Sequence, residues 1–401
     1  MRMESQEVFE GTRLLPFAAG LYRNKYLETV RHTFFLMMPF LLAVYALDIL
    51  GSLVPEPYML SCRRIVGLGY GMLSMALAML LAGKLARLWR ADSILAAFCA
   101  LTAFLFLTPP PSEVSKDLVD FFAGRSFLSA FLAAVLSARL FAWLFSIRRL
   151  RLPIPKVIPK RFSRYLSAIL PVLLTITVLG ILSVGMGYLM KCLEEWIRTA
   201  VPMSFFQHPA VAFLYQTILW VCWWFGFPGY GVASFFQQTV YIPAQLSNQA
   251  GDTDFIFTSG FFEAGVMHVF GLMIAILVFS RHESWRSITK VSFPAMIFNI
   301  QDPVMFCLPV VLNPVFLIPY LLAPLAHTVV GWIAISWGIV PVFKASLPWT
   351  MPILFSGSLG TGSFMGGVLQ AVWLVMDIFI YAPFVITANM LDLKAEEGED
   401  G

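Results

Sequence analysis

Residues 299–314 read "NIQDPVMFCLPVVLNP", and they lie in one of the most apolar parts of the chain. Yet Asn299 and Gln301 precede the first proline, Asp302 is a carboxylate, and Pro303, Pro309 and Pro314 follow. A lipid-facing helix does not tolerate that mixture. Proline removes a backbone N–H and breaks the helical ladder, and hydrocarbon offers no water to the groups set free. Broken backbone at membrane depth is admissible only where protein encloses it or where it lines a wet cavity. The stretch therefore predicts a discontinuous segment inside a membrane protein.

The rest of the chain supplies the membrane. Of 401 residues, 59% are hydrophobic and 12% charged, with a mean hydropathy of +0.79; an ordinary soluble domain is about 25% charged. The fold class expected is an all-α polytopic membrane protein. Regular apolar spans are predicted over 33–53, 66–86, 93–109, 127–147 and 166–189, each near the roughly twenty residues that a bilayer requires. "KCLEEWIRTAVPM" follows, and its charges (Lys191, Glu194, Glu195, Arg198) with Trp196 suit an interfacial helix. Beyond it, spans are predicted over 209–226, 258–280, 315–338 and 367–388. Between them, segments 229–248, 294–313 and 348–365 are rich in Gly, Pro and amides, Gln245 and Asn248 included. At least two are expected to be re-entrant hairpins or discontinuous helices, the sequence feature that best points to a transporter's binding site.

Five parts are expected: a cytoplasmic N-terminal segment (1–32), a scaffold and dimerisation half (33–189), the interfacial helix (190–208), a substrate-binding half with re-entrant hairpins (209–388) and an acidic tail (389–401). Residues 1–31 are polar and of mixed charge, so no signal peptide is expected.

A net charge of +4 is small, but its placement is informative. "RRLRLPIPKVIPKRFSR" carries seven Arg or Lys and no acid, and Lys84, Arg87 and Arg90 form a second basic cluster two spans earlier. Positive-inside puts both clusters, and the N-terminus, on the cytoplasmic side of a bacterial inner membrane. Flanked by spans, the basic run is not read as a nucleic-acid site. The five cysteines are scattered and never paired as C-x-x-C, so neither a disulfide nor a metal framework is expected. Walker-type, zinc and Gly-x-Ser-x-Gly motifs are missing, which argues against an ATP-driven pump, a metal site or a cofactor.

"FNIQDPVMFCLPVVLNPVFLIPYLLAPL" resembles the signature of the lactose/cellobiose/chitobiose family of phosphotransferase-system IIC components. "SLPWTMPILFSGSLGTGSFMGGVLQ" resembles the family's Pro-Trp-Thr-x-Pro and Gly-rich segment, "WWFGFPGYG" its Trp-Phe-x-Gly-Ile-His-Gly turn, and "ETVRHTFFLMMPFLL" its first membrane helix. The resemblance covers nearly the whole chain. It implies about ten transmembrane helices with re-entrant hairpins, a homodimer formed by the first half, and a sugar site in the second half. Separate cytoplasmic IIA and IIB proteins would supply the phosphate, so the chain is a transporter with no complete catalytic centre of its own. Two residues depart from the pattern: Asp302 stands for the family's Glu, and Pro228 for its His. Two readings stay open: translocation of a disaccharide-like sugar such as a β-glucoside or chitobiose, or a IIC-like membrane sugar sensor or anchor without phosphorylation-coupled transport.

A sugar site needs amides that both donate and accept, an aromatic plate and a water-accessible cavity. Asn299 and Gln301 qualify, although capping broken backbone is their plainer role. Asp302, a carboxylate at membrane depth, is the candidate that receives the proton of the hydroxyl being phosphorylated; a helix N-cap or a pair with Lys344 is its alternative. Trp349 between Pro348 and Thr350 suits stacking. Trp224 and Tyr230, flanking the Gly-rich turn, are further substrate candidates, with packing the plainer role for Trp224. His268 could supply what Pro228 lacks. His327, Glu263, Asp48, Arg139 and Asp377 are expected to pair or pack structurally.

Overall fold

The computed structural model describes residues 24–52, 54–107, 126–155, 157–225, 233, 235–308, 310–311, 313–348 and 350–399. Among them every regular element is helical, as the apolar periodicity predicts. Among the described residues seven helices are long and apolar enough to cross a membrane, and Ser93–Leu107 and Pro209–Trp224 are shorter apolar helices. The chain packs as two compact units, one of residues 28–197 and the other running from Arg198 onward.

The first unit is built from regular rods: α1 (Lys25–Ser52), α2 (Glu56–Leu88), α3 (Ser93–Leu107), α4 (Ser126–Ser146), the short α5 (Lys160–Ser167) and α6 (Ile169–Ala200). Helices α2, α3 and α4 pack on one another, and small residues at helical spacing explain why. Ala78, Ala82 and Ala86 on α2, Ala96 and Ala100 on α3, and Ala130, Ala134 and Ala138 on α4 are all fully buried. Without a hydrophobic force between helices in lipid, such stripes let backbones approach and gain dispersion contacts. The turn between α2 and α3 places Arg90 in the left-handed region, φ 57°. Asp92 then caps α3, accepting from the N–H groups of Ile94 and Leu95 at 3.0 and 3.1 Å. Arg164 of the basic run 148–164 lies 2.9 Å from the Asp92 carboxylate, beside the cluster of Lys84, Arg87 and Arg90 at one end of this unit. Arg139 packs over the Trp89 ring at 5.3 Å, and Tyr70 donates to Asp48 at 3.3 Å.

Helix α6 differs from its expectation. It runs 32 residues to Ala200, about 48 Å at 1.5 Å per residue, so residues 191–200 continue it rather than forming a separate helix. No proline interrupts it between Pro171 and Pro202. A short α7 (Met203–Phe206) follows.

In the second unit α7 is followed by α8 (Pro209–Trp224) and a π-turn at Gln237–Tyr241 leading into α9 (Ile242–Ala250). Then come α10 (Ser259–Ala264), α11 (His268–Phe279), α12 (Glu283–Ile297), α13 (Asp302–Cys307), α14 (Pro314–Ser336), α15 (Phe355–Thr361) and α16 (Phe364–Glu399). Residues 341–348 are extended rather than helical. The chain reverses from α15 into α16 at Gly362, φ 65°. A Cβ added to Gly357 would fall 2.3 Å from the Gly366 carbonyl oxygen, so glycine alone lets these antiparallel pieces touch. This is the hairpin that the Gly/Ser-rich sequence predicts.

Ala134→Leu forces a larger side chain into the closed α2–α3–α4 seam and should cost about 1–3 kcal/mol. The drop should appear in the thermal unfolding midpoint in detergent, while Leu136→Ala on the exposed face should move it little.

Candidate functional site

Where the helices break, side-chain amides satisfy the backbone. Gln245 donates to the Ala345 carbonyl at 2.6 Å. Its oxygen accepts from the Ser259 hydroxyl at 2.6 Å and from the Gly260 N–H. Asn248 accepts the Phe255 N–H at 2.7 Å and donates to the carbonyls of Phe255 and Phe343 at 2.7 and 3.1 Å. Gln370 accepts the Gly357 N–H at 2.7 Å and donates to Ala264 O and Ser356 Oγ at 3.1 and 2.8 Å. Gln207 clamps Phe257 through its N–H and its carbonyl, both at 2.8 Å. Each amide replaces a peptide group that a continuous helix would have provided.

These clamps shape a cleft. Gly260, Glu263 and Ala264 of α10 form one wall, and Asn299 another; Phe343, Ala345, Leu347 and Pro348 of the extended segment, with Ser356 and Gly360 of α15, complete it. Asn299 has φ 63°, a conformation that asparagine tolerates better than most residues, and it makes the turn between α12 and α13. Among the described residues, no hydrogen bond or ion pair engages the side-chain carboxyl of half-buried Glu263. Its carboxylate is therefore available to whatever enters.

The cavity measures ≈ 20 Å³ within ≈ 320 Å³ of empty space that includes its mouth. A water needs about 10–15 Å³ on this measure, so the closed cleft has room for a water and none for a sugar. The sugar-sized chamber expected from the sequence is not present in this conformation. The reason is the extended segment: Gln245 and Asn248 hold it from one side, and the Gly360 carbonyl accepts the N–H groups of Lys344 and Ala345 at 2.8 and 3.1 Å.

The candidates from the sequence divide. Asn299 lines the cleft, whereas Gln301 and Asp302 are buried just beyond it at 3% and 8% exposure and do not line it. Asp302 occupies the first turn of α13, and the partner of Lys344 is Asp254 at 3.5 Å, an exposed pair. Buried Trp224 donates to the Asn313 carbonyl at 3.1 Å, tying α8 to the start of α14. Trp349, Tyr230 and Pro228 lie outside the described residues. His268 is fully buried on α11, paired through Nδ1 with the Tyr381 hydroxyl at 2.8 Å and walled by Trp220 and Tyr320; it is not among the cleft residues.

Asp377 pairs as expected, with His327. The His327 Nε2 lies 2.8 Å from Asp377 Oδ1, its Nδ1 2.9 Å from the Gly265 carbonyl, and its ring stacks on Trp373 at 4.8 Å. Both ring nitrogens face oxygen atoms, so the ring bridges the Asp377 carboxyl and the Gly265 backbone. The pair therefore fixes the backbone that follows Glu263. Glu263 is the residue that sequence reasoning set aside. The signal was available: it is the one Asp, Glu, Lys or Arg in the apolar span 259–279.

Comparison with known proteins places this geometry in context. The family model for the phosphotransferase system, EIIC, matches residues 28–324. The oligo-β-mannoside-specific EIIC component of Bacillus subtilis is 24% identical, over 96% of this chain and 94% of that protein. The lichenan permease IIC component of the same organism is 23% identical over the same shares. The lactose-specific EIICB component of Staphylococcus aureus is 25% identical over 96% of this chain and 72% of its own length. The crystal structure of ChbC, the IIC component of the N,N'-diacetylchitobiose-specific system, aligns with a TM-score of 0.50 at 22% identity, covering 97% of this chain and 98% of that one. At that identity the likeness is one of fold.

His327→Phe strands the Asp377 carboxylate in the interior and should cost about 3–5 kcal/mol. His327→Phe with Asp377→Leu removes both groups and should cost less than the single change. Unfolding midpoints of the purified variants in detergent check the order.

Proposed function

The chain belongs to the phosphotransferase-system EIIC family, and from that premise we propose that it translocates a disaccharide-like, β-linked sugar through the cleft beside Glu263 and Asn299. It is a multi-pass membrane component for sugar transport. The observation that carries the choice of site is a carboxylate without a protein partner, among the described residues, facing a cleft walled by broken backbone. The sugars named for the relatives, oligo-β-mannosides, lichenan and diacetylchitobiose, support a β-linked substrate.

In this reading Glu263 accepts hydrogen bonds from sugar hydroxyls, and Asn299 donates and accepts across the cleft. The sugar enters once the extended segment 341–348 moves away from α10. Asp302 keeps the role its motif suggests: it receives the proton of the hydroxyl on which phosphate arrives from a separate IIB protein. Gln301 supports that turn, while Trp349, Trp224 and Tyr230 are the aromatic candidates for the sugar's apolar faces. His268, packed away from the cleft, is retained only as an indirect contributor. The basic end of the first unit is taken to face the cytoplasm, where it would meet the IIB protein. The homodimer is assigned to the first unit, supported by the exposed apolar side chains of α6, Ile181 (70%), Val184 (75%) and Tyr188 (73%). Cross-linking through the exposed Cys192 of α6 checks that contact, and a chain that stays monomeric under a bismaleimide argues against it.

Pro228, where the resemblance expects histidine, favours one alternative, a sugar sensor without phosphorylation. Uptake of labelled cellobiose and chitobiose into vesicles, with and without phosphorylated IIB, separates the two. Phosphate-dependent accumulation supports transport; saturable binding without accumulation supports the sensor.

Three variants test the residues. Glu263→Gln keeps the shape and should weaken sugar binding by roughly tenfold, the loss of one charge-assisted hydrogen bond. Asp302→Asn should spare binding and abolish accumulation. Asn299→Gly preserves the positive φ but not the amide, so weakened binding would identify a sugar contact, and unchanged binding a purely conformational role.

A further inference from the structure

We propose that the groove between α2 and α3 is a binding site for an anionic phospholipid, its phosphate held by Lys84 and Arg87 and the upper part of an acyl chain lying along Leu80, Ile94 and Phe98. The groove has a volume of ≈ 300 Å³ and is lined by Met79, Leu80, Gly83, Lys84, Arg87, Ser93, Ile94, Ala97 and Phe98. That is the lower end of the range for small-molecule sites, enough for a headgroup phosphate and the first methylenes of a chain but not for a whole lipid.

Its chemistry is divided along its length. Lys84 and Arg87 stand one helical turn apart on α2, at the end of the apolar span Arg64–Leu88, the depth of lipid headgroups. Among the described residues the lining contains no carboxylate. Both cations are fastened to neutral partners. The Lys84 ammonium donates to His32 Nδ1 at 2.9 Å, and the Arg87 Nε to Ser93 Oγ at 3.2 Å. Nearby Asp92 is already engaged by Arg164 at 2.9 Å and by the first turn of α3. Two positive charges thus face one recess in which no described residue balances them. Below them the walls are apolar and open outward: Leu80 is 37%, Ile94 56% and Phe98 57% exposed.

Long cationic side chains near helix ends commonly extend into the headgroup region without a specific partner. Here His32 and Ser93 hold both cations around a concave space, and Ser93 donates in turn to the Gly83 carbonyl at 3.0 Å on the groove floor. A free phosphate ion would use the cations and leave the apolar walls idle. A phosphodiester carrying an acyl chain uses both, which is the general pattern of basic pockets that bind anionic headgroups between transmembrane helices.

The test uses the full-length protein purified in detergent. Phosphatidylglycerol or phosphatidylcholine is titrated in, with retained lipid counted by native mass spectrometry and stability followed by thermal shift. The wild type should retain phosphatidylglycerol and gain stability, with little effect from phosphatidylcholine. Lys84→Gln with Arg87→Gln should weaken phosphatidylglycerol retention by on the order of tenfold or more. Ala97→Phe, which fills the apolar half and leaves the cations, should weaken it as well, and it carries the test alone if the double variant does not fold. Equal retention of the two lipids, unchanged retention in either variant, or equal stabilisation by soluble glycerol phosphate would each overturn the proposal; the last would mean a simple phosphate site.

Discussion

Inside a bilayer each backbone N–H and C=O must find a partner within the protein, because an unsatisfied group costs several kcal/mol. The unit of residues 28–197 meets this demand with long helices, and only alanine stripes are then needed to pack them. The second unit breaks its helices around residues 297–302 and 337–355 and moves the burden to side chains. Gln207, Gln245, Asn248 and Gln370 each meet at least two backbone groups, some far away along the chain. An amide can do this because it carries a donor and an acceptor at the spacing of a peptide group. The cleft exists because these four side chains hold its walls apart from the helices they interrupt.

The same bonds decide how the cleft can open. A single amide bond contributes only about 1 kcal/mol net, but leaving its partners bare at membrane depth costs considerably more. Release of Ala345 and Phe343 from Gln245 and Asn248 is therefore feasible only if water or sugar hydroxyls take over the freed groups. Movement toward lipid offers no replacement. A polyhydroxylated ligand is suited to such an exchange, since it brings donors and acceptors in the numbers that the segment gives up. The closed cavity of ≈ 20 Å³ and a sugar-transporting role are thus compatible: the segment that fills the space is held by bonds of the kind a sugar can replace.

The spans and their interruptions were legible in the sequence, because apolar runs, proline and glycine act locally. So was the tight reversal around Gly362, where the Gly-rich stretch carries its own explanation. What the amides would hold was not legible. Gln245 meets Ala345, Gln370 meets Ala264 and His268 meets Tyr381, each across a hundred or more residues, and no periodicity encodes such pairs. Gln245 and Asn248 looked like polar studs of a broken segment and are the clamps that hold its neighbour. The amphipathic pattern of 191–200 suggested a separate helix, but without a break in the backbone it extends α6. Amphipathicity reports a helix's two faces and not where the helix begins.

Carboxylates give the last discrimination. On insertion scales an acidic residue at the centre of a span costs on the order of 3 kcal/mol, which something must offset. For Asp377 it is His327, whose Nε2 lies 2.8 Å from Oδ1. Asp302 is engaged within the protein and sits in the first turn of a helix, where the local dipole favours negative charge. Glu263 has neither remedy among the described residues, and it lines the closed cleft. In the proposed reading, a carboxyl group placed so gains partners when a ring of hydroxyls closes over it. The affinity proposed for sugar and the cost of the empty cleft would then rest on the same carboxylate, and substitution of Glu263 should lower both.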